Sequence, residues 1–132
     1  MTEIEIAKSH GETILVVDDE PSITTVTSLV LGHYGYKVLT ADNGTTALAL
    51  YQEHANEINV VLTDVMMPGM DGVSLSRALK QIDNQVTIVA STGYATESRE
   101  AELRALGVNV ILRKPYNAKT LVSTVSNAIY AA

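Results

Sequence analysis

The sequence predicts an α/β fold built on a parallel sheet of five strands with helices on both of its faces. Three observations carry that expectation. Short apolar runs rich in Val and Ile occur five times, each is followed by a stretch with apolar residues at helical spacing, and the connections between them are short. The runs at 14–17 and 60–62 are unbroken rather than alternating, as in strands covered on both sides. Parallel neighbours need crossovers, and the intervening helices supply them.

Taken in order, residues 13–17 form the first strand and lead into Asp18-Asp19-Glu20. Pro21 suits a first-turn helix position, where its missing N–H is not needed, and Ile23, Val26 and Val30 mark the inward face of a helix over 21–34 that Gly35 stops. Residues 36–41 are a second strand. Asn43 caps a second helix whose inward face carries Ala47, Leu50, Tyr51 and His54, the last as a boundary residue rather than a ligand. The third strand, 60–63, runs into Asp64, and Pro68, Gly69 and Gly72 break it. Asp71 caps a third helix over 73–82 with Leu75, Leu79 and Ile82 inward. Residues 86–90 are a fourth strand ending in Ser91-Thr92-Gly93, 95–106 a fourth helix stopped by Gly107, and 108–112 a fifth strand entering Arg113-Lys114-Pro115. Asn117 caps a last helix with Leu121, Val125 and Ala128 on one face.

The 132 residues match the size of one domain, here 13–132, with 1–12 as an N-terminal arm or linker. A net charge of −6 argues against direct binding of nucleic acid by this domain and favours protein partners. The chain has no Cys, which excludes disulfides and thiolate metal sites and fits a reducing, cytoplasmic setting; His10, His33 and His54 lack the spacing of a zinc motif. No apolar run reaches the length of a membrane span.

The strand ends carry the chemistry. Asp18, Asp19, Asp64, Thr92 and Lys114 all follow or end strands, so they converge on the carboxyl edge of the sheet, where open α/β sheets bind ligands. Singly, each has a plainer reading: a helix-start acid, a turn hydroxyl, a surface lysine. Together they form a set. Three carboxylates within several ångströms repel by on the order of a few kcal/mol per pair, and a hard divalent cation with oxygen ligands relieves this. Lys114 adds a fixed positive charge. A carboxylate attacking a phosphoryl group brings anion to anion, and a metal with a lysine offsets that repulsion in the transition state.

The motifs Val-Val-Asp18-Asp19-Glu20, Asp64-Val-Met-Met-Pro68-Gly-Met-Asp71-Gly72, Thr92-Gly93 and Lys114-Pro115 resemble those of response-regulator receiver domains of two-component signalling, over about residues 13–130. The resemblance implies a flavodoxin-like (βα)5 doubly wound sheet of order 2-1-3-4-5, like the chemotaxis receiver. It implies Asp64 as phosphoacceptor; Mg2+ held by Asp19, Asp64 and the Met66 backbone carbonyl, with Asp18 acting through water; Thr92 and Lys114 on the phosphoryl oxygens; and a cis Lys114-Pro115 bond. The donor would be a phosphohistidine on a histidine kinase or histidine phosphotransfer protein. Output would pass through the face of the fourth helix, fifth strand and fifth helix, which also offers a homodimer contact. Such a domain is no enzyme in the usual sense, although it assists its own phosphotransfer and dephosphorylation.

Three positions depart from, or tune, that pattern. The family often has Tyr or Phe three positions before the Lys, and here Ile111 stands there. In the family the residues two after the phosphoacceptor and two after the switch Thr flank the path of hydrolytic water, and here they are Met66 and Tyr94; both are bulky and neither carries a carboxylate or amide to orient water, which predicts a long-lived phosphoprotein. The Ser-Thr-Gly-Tyr-Ala and Lys-Pro-Tyr forms are similar to those of receivers in hybrid sensor kinases. Two alternatives differ in class. A Mg2+-dependent phosphohydrolase of related topology would carry a second acid two residues after Asp64, where Met66 stands, and an interaction module without phosphate chemistry would not need the five-residue set. Neutralising Asp18 or Asp64 is expected to stabilise the metal-free protein by relieving repulsion.

Overall fold

The computed structural model describes residues 11–93 and 96–130; most of the arm read at 1–12 lies outside them. Five strands and five helices alternate: β1 (Thr13–Val17), α1 (Pro21–His33), β2 (Lys37–Ala41), α2 (Gly44–His54), β3 (Ile58–Asp64), α3 (Gly72–Ile82), β4 (Ile88–Thr92), α4 (Glu97–Ala105), β5 (Val110–Arg113) and α5 (Ala118–Tyr130). The strands form one sheet in the order β2-β1-β3-β4-β5, every pairing parallel. This is the doubly wound, flavodoxin-like arrangement expected from the motifs.

Alternation explains why the strands read as unbroken apolar runs. Leu15, Val17, Val61, Ile88 and Ala90 enter one core with α2, α3 and Leu103 of α4, while Ile14, Val16, Val60, Leu62 and Val89 enter a second core with Leu31 of α1 and Leu121, Val122 and Val125 of α5. Strands β1, β3 and β4 are therefore covered on both faces, while the edge strands β2 and β5 are partly exposed. Helix starts are capped as expected: Asn43 accepts from the Thr46 N–H at 2.8 Å, Asp71 from Ser74 at 2.9 Å and Asn117 from Thr120 at 2.8 Å. Among the described residues no helix is long and apolar enough to cross a membrane.

Three expectations need correction. In α1 the buried residues are Thr27 and Leu31, while Val26 is 60% exposed and Ile23 and Val30 are only partly buried. The helix is rotated so that Thr27 sits under Tyr116, a choice that ranking side chains by apolarity misses. Ile82 is exposed because α3 ends there, beyond the core that Leu75 and Leu79 fill. Strands β4 and β5 each begin two residues later than predicted. Val86 and Val108 are buried, but turns hold them, with their N–H groups bonded to Asp83 O and Leu103 O.

Gly72 fixes the end of the central strand relative to α3. Its N–H donates to Val65 O at 2.8 Å, and a Cβ at this position would lie 2.5 Å from Asp64 O and 2.7 Å from Val65 Cα. Both obstacles are backbone, so neither yields cheaply. Gly72→Ala is expected to lower stability by about 1–3 kcal/mol through overpacking, measured as a lower urea midpoint at unchanged slope.

Candidate functional site

Each site residue is delivered by a strand end. Asp18 and Asp19 follow β1, Asp64 closes β3, Thr92 closes β4 and Lys114 follows β5. Because β1, β3, β4 and β5 are neighbours in that order and parallel, their carboxyl ends lie side by side, and the five residues expected to converge do so. One oxygen from each of Asp18, Asp19 and Asp64 lies within 4.8 Å of the others.

Lys114 is bound into this cluster. Its Nζ donates to Asp18 Oδ2 at 2.8 Å and stands 3.6 Å from Asp64 Oδ1. The Lys114 N–H donates to Thr92 O at 2.8 Å, which aligns the chain after β5 with the end of β4, and the Lys114-Pro115 bond is cis, as expected. Asp18 is buried and also accepts from the Glu20 N–H at 3.0 Å, closing the turn into α1. Asp19 is only partly buried and Met66 is 49% exposed.

Asp64 is held above the ordinary carboxylate range. Burial is the main cause; Lys114 opposes it, Asp18 and Asp19 reinforce it, and a hydrogen bond from the Met66 N–H works against it. For Lys114, burial disfavours the charge, but the hydrogen bond to Asp18 and the nearby Asp64 and Asp18 charges outweigh it and push the ammonium up. Thr92 is 1% exposed and its Oγ1 has no hydrogen-bond partner among the described residues. A buried hydroxyl left unmatched at the rim of such a cluster is a donor waiting for an acceptor. The oxygen-only donor set of the three carboxylates suits a hard divalent cation.

Ile111 sits on β5 opposite Ala90 of β4 and packs against the core shared with α3 and α4. Tyr94 lies outside the described residues. Asp71 performs the capping role expected, and it also forms an ion pair with Arg99 that the sequence reading missed. Arg113 likewise pairs with Glu100 at 2.9 Å. Nothing in the spacing of charges on a short, strongly charged helix singles out Arg99 or Glu100, since their partners come from other elements.

The geometry narrows one stability expectation. Burial raises the pKa of Asp64, so its ionisation weakens the folded state: the penalty is absent below the ordinary carboxylate range and grows as pH rises through the raised value. Asp64→Asn should raise the melting temperature of the metal-free protein by removing that penalty. Asp18→Asn should bring no such gain, because it removes the closest partner of Lys114. Thermal melts in EDTA at pH 7 check both.

Comparison with known proteins gives the family. The family described as the response regulator receiver domain matches residues 14–126. The response regulator receiver protein CpdR of Brucella abortus is 31% identical over 119 residues, covering 90% of this chain and 98% of that protein. The sensor kinase CckA of the same organism is 32% identical over 121 residues, 92% of this chain but 13% of CckA. The chain thus spans from about an eighth to about half of the length of several curated relatives it matches. A crystal structure of a response regulator receiver domain protein from Clostridium thermocellum superimposes with a TM-score of 0.86 at 33% identity, covering 91% of this chain and 95% of that one. A match that runs from the first strand into the last helix, on a sheet of the same order, leads to one conclusion: this chain belongs to the response regulator receiver domains of two-component signalling.

Proposed function

We propose that Asp64 is the phosphoacceptor of this receiver domain and takes its phosphoryl group, with Mg2+, from a phosphohistidine on a histidine kinase or histidine phosphotransfer protein. The observation that carries the reading is the convergence of three carboxylates within 4.8 Å around one lysine, with Asp64 the acid at the end of the central strand. Asp19, Asp64 and the Met66 backbone carbonyl would hold Mg2+ directly, and Asp18 through water; bound there, the ion neutralises charge between the carboxylate and the incoming phosphoryl group.

The residues of the chain then have separate tasks. An Asp64 carboxylate oxygen forms the bond to phosphorus as the bond to the donor's imidazole nitrogen breaks. Lys114, already 3.6 Å from Asp64 Oδ1, is within reach of a phosphoryl oxygen attached there, and its partner Asp18 keeps it oriented while waiting. Thr92 Oγ1, buried and without a partner, is the hydroxyl that a phosphoryl oxygen would recruit. Its movement would be read on the face made by α4, β5 and α5, and the same face would serve a partner protein or a second copy of the chain. Ile111, which brings neither hydroxyl nor ring to that face, leaves the signal to other groups.

Met66 and Tyr94 set the lifetime in this reading. An exposed thioether beside Asp64 crowds the approach of water without orienting it.

Four measurements test the proposal. With a small-molecule phosphodonor and Mg2+, mass spectrometry should find one base-labile phosphoryl group, on Asp64, absent in Asp64→Asn; an adduct gained at the wild-type rate by that variant overturns the assignment. Asp19→Asn should slow the reaction on the order of tenfold or more, as loss of metal-site groups does, and Lys114→Ala should weaken phosphoryl transfer or signalling. Saturating Mg2+ should raise the melting temperature, by a stabilisation of about 2.7 kcal/mol at a hundred times its dissociation constant. After removal of the donor, Met66→Asn combined with Tyr94→Ala should lose the phosphoryl group several-fold faster than wild type.

A further inference from the structure

Helix α4 has the fewest buried residues of the five helices among the described residues. Leu103 alone of its residues is buried, whereas α3 buries Gly72, Val73, Leu75, Ser76 and Leu79 and α5 buries Leu121, Val122, Val125 and Ser126. What α4 lacks in apolar contact it makes up in charge. On one side Arg99 pairs with Asp71, both side chains more than half buried; on the other, Glu100 accepts from Arg113 at the end of β5 at 2.9 Å. The first turns of α4 are thus clamped between the start of α3 and the last residue of β5.

The Asp71 side of the clamp is tied to the phosphoacceptor. Asp71 Oδ1 accepts from the Ser74 N–H and Oδ2 from Arg99, so its carboxylate is fully engaged. The next residue, Gly72, is bonded to Val65 O and packed against Asp64 O, which leaves Asp71 little freedom relative to the end of β3. Arg99, in contrast, hangs from the connection that leaves β4 at Thr92, one turn beyond the cap at Thr96. The ion pair therefore bridges the two strand ends at which modification would be felt.

We propose that the Asp71–Arg99 pair is a latch that holds α4 in the arrangement of the unmodified protein, and that its release carries the state of Asp64 to α4 in a chain whose Ile111 lacks the usual ring. The inference rests on Asp64 being the phosphoacceptor. When a phosphoryl oxygen recruits the Thr92 hydroxyl, the end of β4 is drawn toward the site while Asp71 stays fixed with Gly72, and α4, which follows β4 in the chain, parts from Asp71. With one buried leucine opposing it, α4 has little apolar contact to lose in shifting. Arg99 and Asp71 act as positioning residues and touch no reacting atom.

A latch that favours the unmodified state must, by linkage, weaken binding of anything that favours the modified one. Beryllofluoride with Mg2+ is the probe, titrated against the full chain. Arg99→Gln removes the cation, and Asp71→Asn removes the anion while keeping a side chain that caps α3 equally well. Each should tighten beryllofluoride binding roughly fivefold or more, the scale of an ordinary coupling between sites, and raise amide hydrogen exchange across 97–105 in the absence of the probe. The double variant should do no more than either single one, because both remove the same contact. Arg104→Gln, at an exposed position 3.9 Å from Glu100, should leave the affinity unchanged. Wild type that binds the probe with the same affinity and the same α4 exchange as both single variants overturns the latch alone, and so do additive effects in the double variant. Wild type that binds no beryllofluoride overturns the Asp64 reading, and the latch falls with it.

Discussion

Anions gathered at one edge of a sheet are the constraint on which this structure turns. Asp18, Asp19 and Asp64 approach one another within 4.8 Å in a site where two of the three are buried, and at an effective dielectric near 20 each such pair repels by on the order of a few kcal/mol. Lys114 makes the arrangement tolerable. It reaches from the opposite side of the central strand to hydrogen-bond Asp18 and face Asp64, and the carboxylates in turn hold it charged. Burial nevertheless keeps Asp64 above its ordinary range, so the compensation is incomplete. An unmodified site of this kind has an unmet demand for positive charge, which is the physical basis for a metal-dependent reaction at Asp64.

The rest of the fold reads as the framework that keeps those charges in place. Two cores, one on each face, clamp β3 between β1 and β4 and leave its carboxyl end facing out of the sheet. The Thr63 hydroxyl donates to Asp64 O at 3.0 Å and Gly72 closes against the same carbonyl, so the backbone of the acid is held on both sides while its side chain faces the site. Rigidity there contrasts with α4, a helix held by charge more than by apolar packing. A domain that must report a local change needs one element whose position is cheap to alter, and ion pairs at a partly exposed surface are such a fastening.

Much of this was legible in the chain. Strand ends are visible because a run covered on both faces stays free of charge until it leaves the sheet, and the first charged residues then fall at the site edge; Asp18 and Asp64 follow that rule, and Lys114 comes one residue after Arg113. Caps are visible because Asn43, Asp71 and Asn117 act on N–H groups three residues away. These are local relations, decided by backbone geometry and the residues beside it.

Tertiary structure decided what depends on distant partners. That Thr27 rather than Val26 turns inward in α1 depends on the sheet and on Tyr116, whose hydroxyl lies 3.5 Å from that of Thr27, and that Val86 and Val108 are buried without joining a strand reflects that apolarity records removal from water, not pairing. That Lys114 hydrogen-bonds Asp18, 96 positions away, and stands farther from Asp64 is a matter of side-chain approach across β1 and β3. The pairing of Asp71 with Arg99, 28 positions apart, belongs to the same class. Sequence alone determined which residues reach the carboxyl edge, because period and strand length set that; which charge neutralises which was left to the packing of α3, α4 and β5, since an ion pair is specified by distance and not by spacing along the chain.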